Sequence, residues 1–328
     1  MNAKERLREF CRDPKKLRWD FARRDHTHRL TCFEVGNEGY VVFGDENGSA
    51  FVRNLETEEL TLVSTRKDKK VSGVALNPSS EMAVVCDNSP VVTLCSFRGG
   101  VREAKQSFDE PIRCAVFVED LANRQNLLLS GGARRVFVSD CATGIRIALF
   151  DGHKGGVSTI RSWGGCLFLS ASLGDRVVRL WDLRTPRNPI KEFPAGSRDA
   201  PSSGFAVGSG GRFLARLDAS RIVLFDLRTG RQLASYAMPS PSPKALQFFP
   251  ESLTLAVCRP KSVSLTDLQY PQPPTQHLPV EDIETPRFPR WNPSTDALFF
   301  ADGTSLVEAS VSVDAQSGGL LSHTSPRT

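Results

Sequence analysis

Residues 152–182 read GHKGGVSTIRSWGGCLFLSASLGDRVVRLWD, and this stretch decides the fold class. It contains three apolar runs, 157–163, 166–171 and 176–182, which are separated by short turns of glycine and polar residues. A fourth, more polar run follows at 189–193. Runs of this length between turn signals are typical of β-strands. The stretch therefore predicts one four-stranded antiparallel sheet.

The same pattern recurs along the 328-residue chain. Similar units begin near the following positions: 28, 71, 112, 157, 204, 244 and 286. The spacing is roughly 41 to 46 residues, which is the period of a propeller blade. A single blade exposes both sheet faces, so burial requires a neighbour on each side and a closed ring. The sequence predicts an all-β, seven-bladed β-propeller over residues 28–314.

The excess basic charge lies at the amino end. The chain has 42 Lys and Arg against 37 Asp and Glu, and residues 1–29 hold ten of the former and five of the latter. Asn2 is expected to cap a short helix from Ala3 to about Arg12. Residues 1–27 are thus predicted to form a basic, partly helical arm, which is either a docking arm for an acidic surface or a solvated leader. Residues 315–328 are predicted to be a flexible tail.

The last unit lacks a clear fourth strand, because residues 316–319 read QSGG. Residues 17–21, in which Leu, Trp and Phe alternate with a period of two, could supply that strand and latch the ring. The alternative is completion within the unit by residues 311–313 or 320–321. The sequence leaves both open.

Composition excludes several classes of protein. With 40% hydrophobic and 24% charged residues the chain is globular, and no apolar run approaches the roughly 20 residues that span a bilayer. The first residues do not resemble a secretory signal. Eight cysteines without a C-x-x-C pair, and five dispersed histidines, predict reduced thiols, no metal site and no cofactor. A cytoplasmic location is expected.

Gly152-His153, together with Trp181-Asp182, resembles a WD repeat, and Phe225-Asp226 is a variant of the latter pair. This resemblance implies a WD40-type propeller. Strings in the ranges 139–144, 163–168, 178–185 and 266–269, followed by Trp291, further resemble the carboxy-terminal propeller of the microtubule-associated WD-repeat family of nemitin, over about residues 110–300.

The finer resemblance implies a non-catalytic cytoplasmic scaffold that binds microtubule-associated proteins, with a cytoskeletal location. Residues 1–70 show no match to that family, and its helical dimerisation module has no counterpart in them. The resemblance therefore carries no oligomeric state for this chain.

One cluster could be mistaken for a catalytic triad. His153, Asp175 and either Ser170 or Ser172 are expected to converge as base, carboxylate and hydroxyl. In WD repeats, however, these side chains and the Trp181 indole form a buried hydrogen-bond chain, and no G-x-S-x-G elbow is present. A structural network and no catalytic residue are predicted, so the protein is not expected to be an enzyme.

A basic rim is predicted at the turns between second and third strands. The candidate partner-binding residues are Arg134, Arg135, Arg176, Arg221, Arg259 and Lys261. Aspartates occupy the same class of turn, and ordinary solvated turns are the alternative. Such a rim suits an acidic peptide or protein surface. Nucleic acid is a weaker explanation, because the body is neutral and lacks alternating aromatic and basic residues.

Two further sites are candidates. Trp163, at a turn on the opposite rim, is a candidate binding anchor or a ring folded over the neighbouring blade. Asp182 and Arg184 lie in a W-D-x-R sequence, which resembles the box of substrate receptors for cullin-RING ubiquitin ligases. That receptor role is the alternative function, and a simple turn is the structural explanation of the same residues.

Overall fold

The chain is described by a computed structural model, which covers the following ranges: 3–12, 17–25, 27–36, 38–66, 69–118, 127–162, 165–172, 174–194, 204–208, 210–218, 220–292 and 295–313. Within them the chain forms one helix, α1 (Ala3–Arg12), and seven four-stranded antiparallel sheets. The predicted all-β, seven-bladed propeller is confirmed. The proposed helix cap Asn2 and the predicted tail of residues 315–328 lie outside these ranges.

Six blades consist of four strands that are consecutive in the chain, ordered from the inner to the outer strand. Blade 1 contains β2 (Leu30–Val35), β3 (Tyr40–Asp45), β4 (Ser49–Asn54) and β5 (Leu60–Thr65). Blade 2 contains β6 (Gly73–Leu76), β7 (Met82–Cys86), β8 (Val91–Ser96) and β9 (Arg102–Ser107). Blade 3 contains β10 (Cys114–Phe117), β11 (Leu127–Gly131), β12 (Arg135–Asp140) and β13 (Arg146–Asp151).

Blades 4 to 6 follow the same order. Blade 4 contains β14 (Val157–Ser162), β15 (Leu167–Ser172), β16 (Val177–Asp182) and β17 (Lys191–Pro194). Blade 5 contains β18 (Phe205–Gly208), β19 (Phe213–Asp218), β20 (Arg221–Asp226) and β21 (Gln232–Ala237). Blade 6 contains β22 (Ala245–Phe248), β23 (Thr254–Arg259), β24 (Ser262–Asp267) and β25 (Thr275–His277).

Blade 7 is assembled from both ends of the chain. It contains β26 (Arg287–Asn292), β27 (Ala297–Asp302), β28 (Ser305–Val313) and, as its outer strand, β1 (Leu17–Asp25). β1 runs antiparallel to β28 over nine residue pairs. Of the two alternatives for closure, the structure has the amino-terminal strand. Residues 311–313 belong to the third strand instead, and residues 320–321 lie outside the described ranges.

The apolar core is divided into layers between blades. The described residues form seven buried clusters, and each cluster joins two adjacent blades of the ring. One of them joins Leu30 and Phe33 of blade 1 to Phe299 of blade 7, so the ring is closed. This distribution follows from the physics of a single blade, whose two apolar faces each need a neighbouring sheet.

Helix α1 packs against the closure. Leu7 is 2% exposed and joins the cluster of blades 6 and 7, in which it meets Phe249 and Trp291. Arg6 forms an ion pair with Asp296 at 3.2 Å. This part of the arm is therefore packed against the ring and not surrounded by solvent. Across the described ranges no helix has the length and apolar character needed to cross a membrane.

Two faces of the ring are distinguished below. The upper face is the one at which the inner strands begin, and it also carries the turns between the second and third strands of each blade. The lower face carries the turns between first and second strands and between third and fourth strands. Leu30, for example, pairs with Asp45, which shows that the start of β2 and the end of β3 lie at the same face.

Candidate functional site

The cluster predicted in blade 4 is a continuous hydrogen-bond chain. The Trp181 indole N–H donates to Ser170 Oγ at 2.8 Å, and Ser170 Oγ lies 2.7 Å from His153 Nε2. His153 Nδ1 lies 3.1 Å from a carboxylate oxygen of Asp175. The Trp181 indole can only donate and the Asp175 carboxylate can only accept, whereas the donor and acceptor roles of Ser170 and of the two His153 nitrogens depend on the imidazole tautomer.

Electrostatics fix the protonation states in this chain. Burial lowers the pKa of His153, and Arg179 lowers it further against the opposing effect of Asp175, so the imidazole is neutral at pH 7. Burial raises the pKa of Asp175, but the hydrogen bond from Arg179 and the proximity of His153 outweigh it and hold that pKa below its usual range. Arg179 Nη1 lies 2.6 Å from His153 Nδ1 and also donates to the Asp175 carboxylate, so the guanidinium contacts both side chains.

The burial and the bonding of this hydrogen-bond chain fit a structural role and not a catalytic one. The side chains of His153 and Asp175 are 0% and 3% exposed, and Ser170 and Trp181 are both 0% exposed. The Ser170 hydroxyl is bonded to both Trp181 and His153, and there is no room beside it for a reacting atom. Arg179 Nε donates to Glu192 Oε1 at 2.7 Å, and this bond extends the hydrogen-bond chain to the surface, where the Glu192 carboxylate is half exposed. The network thus joins β15, β16 and β17 of blade 4 to the segment that precedes β14.

The sequence left open which serine joins the chain, and the structure places Ser170 in it. Ser172 serves the neighbouring turn, where its Oγ donates to Gly155 O at 2.8 Å and accepts from Gly174 N at 3.1 Å. A Cβ on Gly155 would lie 2.8 Å from Gly174 Cα, so two glycines are needed for this close approach.

Blade 5 has Phe225-Asp226 where blade 4 has Trp181-Asp182, and a different interaction replaces the network there. Phe225 occupies the position of the tryptophan, and Arg216, which stands at the position of the serine, lies over its ring at 5.3 Å. Arg216 is buried and donates to Phe193 O at 2.7 Å in the outer strand of blade 4. Burial lowers the pKa of Arg216. The interaction now joins two blades instead of stabilising one.

The predicted upper rim is formed by four exposed cations on four successive blades. These residues are Arg134, Arg176, Arg221 and Lys261. Arg221 donates to the Ser235 hydroxyl at 2.8 Å, and none of the four forms an ion pair with a carboxylate among the described residues. Arg135 is partly exposed and lies 3.5 Å from Asp151 and 3.9 Å from Asp109, so its charge is partly neutralised.

The prediction that Arg259 lies on the rim is wrong. Arg259 is the last residue of β23, it is 3% exposed, and it donates to the Ser264 hydroxyl at 2.7 Å inside blade 6. Burial lowers the pKa of Arg259. The turn contains only Pro260 and Lys261, so an arginine that is adjacent to it in sequence still belongs to the strand and points inward.

The aspartates of the same turns are engaged internally. Asp45 is 0% exposed and accepts hydrogen bonds from two backbone N–H groups of its turn at 3.0 and 2.8 Å. Asp87 binds Arg66 at 2.8 Å, and Asp302 accepts from two backbone N–H groups at 3.1 and 2.7 Å. Because Asp87 and Asp175 are paired with Arg66 and Arg179, these two carboxylates offset the rim cations less than the sequence suggested.

Of the two remaining candidate sites, one can be described. Arg184 is exposed and donates to the Asp182 carboxylate at 2.9 and 2.6 Å, and this hydrogen bond holds the pKa of Asp182 below its usual range. Asp182 also accepts from the Arg184 backbone N–H at 2.9 Å, so the two residues form a turn. The candidate anchor Trp163 lies outside the described residues.

The sequence analysis missed a polar layer in the central channel. Each inner strand places one residue opposite the third residue of the second strand. The seven residues of this layer are Glu34, Ala75, Val116, Arg161, Ala206, Gln247 and Arg290. Four of the seven are polar, in blades 1, 4, 6 and 7, so the signal in the sequence was a charged or amide side chain at this position of four inner strands.

The described cysteines are buried or partly buried thiols. Seven are unpaired, and burial raises the pKa of Cys32, Cys95, Cys114 and Cys141 to about 12. Within the described part of the chain, no group of three or more His, Cys, Asp or Glu side chains is placed to hold a metal ion.

Comparison with known sequences gives partial likenesses. No protein-family model matches the chain. A guanine nucleotide-binding protein subunit beta of Zea mays is 34% identical over 218 residues, which cover 61% of this chain and 56% of the maize protein. The subunit of the same name from Oryza sativa subsp. japonica is 34% identical over 128 residues, which cover 37% of this chain and 33% of the rice protein. The chain thus spans about half or less of the length of these curated relatives.

A solved structure shares the fold. A chain in the "Crystal Structure of Mitotic Checkpoint Complex" superposes with a TM-score of 0.74 over 88% of this chain and 90% of that chain, at 16% sequence identity. Identity this low makes it a likeness of fold alone. Seven blades, with the His153–Ser170–Trp181 chain in blade 4, define a WD40-type β-propeller.

Proposed function

We propose that this protein is a non-catalytic protein-interaction scaffold whose upper rim binds an acidic surface of a protein partner. The observation that carries the proposal is the arc of exposed cations in the turns of blades 3 to 6, at Arg134, Arg176, Arg221 and Lys261. Of the aspartates in these turns, Asp175 is bound to Arg179, and Asp218 lies 4.0 Å from Arg216. Charges arranged in this way steer an oppositely charged partner over a distance of about one Debye length. By their names, the relatives and the solved structure belong to multi-protein assemblies, which supports an interaction role.

For the partner class we infer microtubule-associated proteins, with a cytoplasmic and cytoskeletal location. The support is the ordered set of short sequence strings in blades 3 to 7, together with the basic charge. Residues 1–27 add further cations to the same chain. An acidic segment of the partner is therefore the chemistry that the rim is expected to recognise.

A variant that removes rim charge without straining the backbone is available. Arg176 and Lys261 have φ angles of 56° and 64°, a region that glycine adopts at no steric cost. The double variant Arg176→Gly, Lys261→Gly is therefore expected to fold as stably as the wild type. The matched control is Arg228→Gln, Arg231→Gln, which removes two exposed cations from a turn of the lower face.

The test is affinity purification of the tagged chain from animal cells, with quantitative mass spectrometry of the recovered proteins. Two exposed ion pairs contribute about 0.4 to 2 kcal/mol together, which corresponds to an affinity loss of about two- to thirtyfold. We expect microtubule proteins with the wild type and the control, and a clear reduction with the rim variant. Equal recovery by all three chains contradicts the rim, and recovery of no microtubule protein contradicts the partner class.

The cullin-RING receptor is the second candidate, carried by Asp182 and Arg184. Its support is weaker, because the Arg184 guanidinium is already bound to Asp182 in a turn. Recovery of a ligase adaptor that is lost on Arg184→Ala, but retained in the rim variant, would replace the first proposal with this one.

A further inference from the structure

A cavity of about 500 Å³ occupies the upper part of the central channel. Its volume falls within the range of about 300 to 1,000 Å³ that is typical of small-molecule sites. Much of its wall is apolar, with Phe205, Leu246 and Phe288 among the lining side chains. A ligand that fits this cavity would bury an apolar body against these rings and chains.

The charged side chains that line the cavity are mostly cationic. They are Glu34, Arg161, Lys244, Arg287 and Arg290, four cations against one carboxylate. Glu34 accepts a hydrogen bond from Arg290 at 3.0 Å and lies 4.0 Å from Arg161. Positive charge in a concave, partly desolvated site acts more strongly than at an open surface, because water screens it less. The cavity therefore favours an anion.

An ion pair crosses the ring axis at the floor of the cavity. Glu34 belongs to blade 1 and Arg161 to blade 4, which are not neighbours in the ring, so their contact crosses the channel. Both residues also line the cavities on the lower side, together with Asn77 and Trp291. The part of the channel above this contact is called the cup below. A cup suits a small molecule better than a threaded polypeptide.

The backbone around the cup is specialised. The inner strands β2, β14 and β26 have six residues and a shift in register, whereas the other four inner strands have four residues. In β26 the shift lies between Arg287 and Arg290, and all four residues from 287 to 290 line the cavity, which a regular alternating strand does not allow. Phe288 has a φ of 53°, an unfavourable conformation for a bulky residue.

Bulges and strained residues concentrate where a strand must redirect side chains toward a ligand. The three bulged strands are also those that carry Glu34, Arg161 and Arg290. The irregular backbone and the cationic lining are separate observations, and they coincide at one place.

We propose that this cup binds a small organic anion that carries a phosphate or carboxylate group and an apolar body. The anionic group lies toward Arg161 and Arg290 at the floor, and the apolar body packs against Phe288 and its neighbours. Lys244, which is exposed at the mouth together with Arg287, guides the ligand in. This site is distinct from the rim, and it stands whether or not the rim binds a protein.

The test is isothermal titration calorimetry of the purified chain with 1-naphthyl phosphate. Neutral 1-naphthol is the reference compound. We expect saturable 1:1 binding of the phosphate that weakens at higher salt, and weaker binding of the naphthol. The double variant Lys244→Gln, Arg287→Gln removes two of the four lining cations and should bind about tenfold more weakly, because the attraction of the cavity for an anion falls with its positive charge.

Two further variants separate this site from general charge effects. Glu34→Gln removes the one lining carboxylate and should bind the phosphate more tightly. Arg102→Gln, Lys105→Gln removes two exposed cations from the outer strand β9 and should bind as the wild type does. Far-UV circular dichroism confirms that each variant is folded.

Three results would overturn the proposal. They are the absence of saturable binding at millimolar probe, equal affinity for naphthol and naphthyl phosphate, and equal weakening by the mouth and β9 variants. The rim variant Arg176→Gly, Lys261→Gly should leave the titration unchanged. Failure of the cup and failure of the rim are therefore distinguishable.

Discussion

The substitution Ser170→Ala interrupts the hydrogen-bond chain of blade 4 at its centre. It removes the partner of the Trp181 indole N–H at 2.8 Å and the partner of His153 Nε2 at 2.7 Å. Trp181 is 0% exposed and the His153 side chain is 0% exposed, so water cannot replace the hydroxyl. Each polar group left unpaired costs about 1 to 3 kcal/mol. For the two groups together, the expected loss of unfolding free energy is about 2 to 6 kcal/mol.

A double-mutant cycle with Trp181→Phe isolates the hydrogen bond. Phenylalanine lacks the N–H, so in its presence Ser170→Ala no longer leaves an unpaired indole. The second substitution should then cost about 1 to 2 kcal/mol less than it does in the wild type. Trp291→Phe is the control, because Trp291 packs between blades 6 and 7 and should combine additively with Ser170→Ala.

The assay is urea unfolding at pH 7.5 and 25 °C, followed by far-UV circular dichroism. A loss below about 0.5 kcal/mol for Ser170→Ala would show that the hydroxyl is not part of a buried network, because that is the range of substitutions away from such networks. Additivity of Ser170→Ala with Trp181→Phe would contradict the network as well, since the two side chains would then not share a bond.

Three further predictions follow from the buried groups. The pKa of His153 is lower in the folded chain than in the unfolded chain, so the unfolded chain takes up the proton first. Thermal stability should therefore fall as pH drops below about 6.5, and His153→Asn should weaken this dependence of stability on pH. The depressed pKa of Asp175 adds a second loss below about pH 4. The four cysteines whose pKa burial raises to about 12 should react with iodoacetamide at pH 8 only after unfolding, which peptide mass spectrometry can follow. Arg259→Gln should lower the melting temperature measured by calorimetry without weakening binding of an acidic peptide, because Arg259 is bonded to Ser264 inside blade 6.

The blade pattern was predictable because local signals define it. In the fourth unit the predicted runs begin and end within two residues of β14, β15, β16 and β17. Turn residues mark the strand ends, and the need of each blade for two neighbours fixes the ring. Strand β1 could be proposed because apolar residues alternate with a period of two in residues 17–21. Whether β1 or a segment of the last unit itself forms the fourth strand of blade 7 depended on pairing between residues far apart in the sequence.

The site was less predictable, for physical reasons. Arg259 and Lys261 differ by two positions, yet one is buried and the other exposed, because the strand continues to the two-residue turn. The layer of Glu34, Arg161 and Arg290 depends on register in three distant strands and on ring closure. Sequence shows each polar residue separately, but it does not show that they meet on one axis.

The central proposal is that the upper rim is a surface for acidic protein segments. The direct measurement is fluorescence anisotropy of a labelled polyglutamate peptide with the purified chain, at 50 mM and 200 mM salt. We predict binding that weakens with salt, drops about two- to thirtyfold in Arg176→Gly, Lys261→Gly, and stays unchanged in Arg228→Gln, Arg231→Gln. Equal affinity of the two double variants for the peptide would contradict the rim as the binding surface.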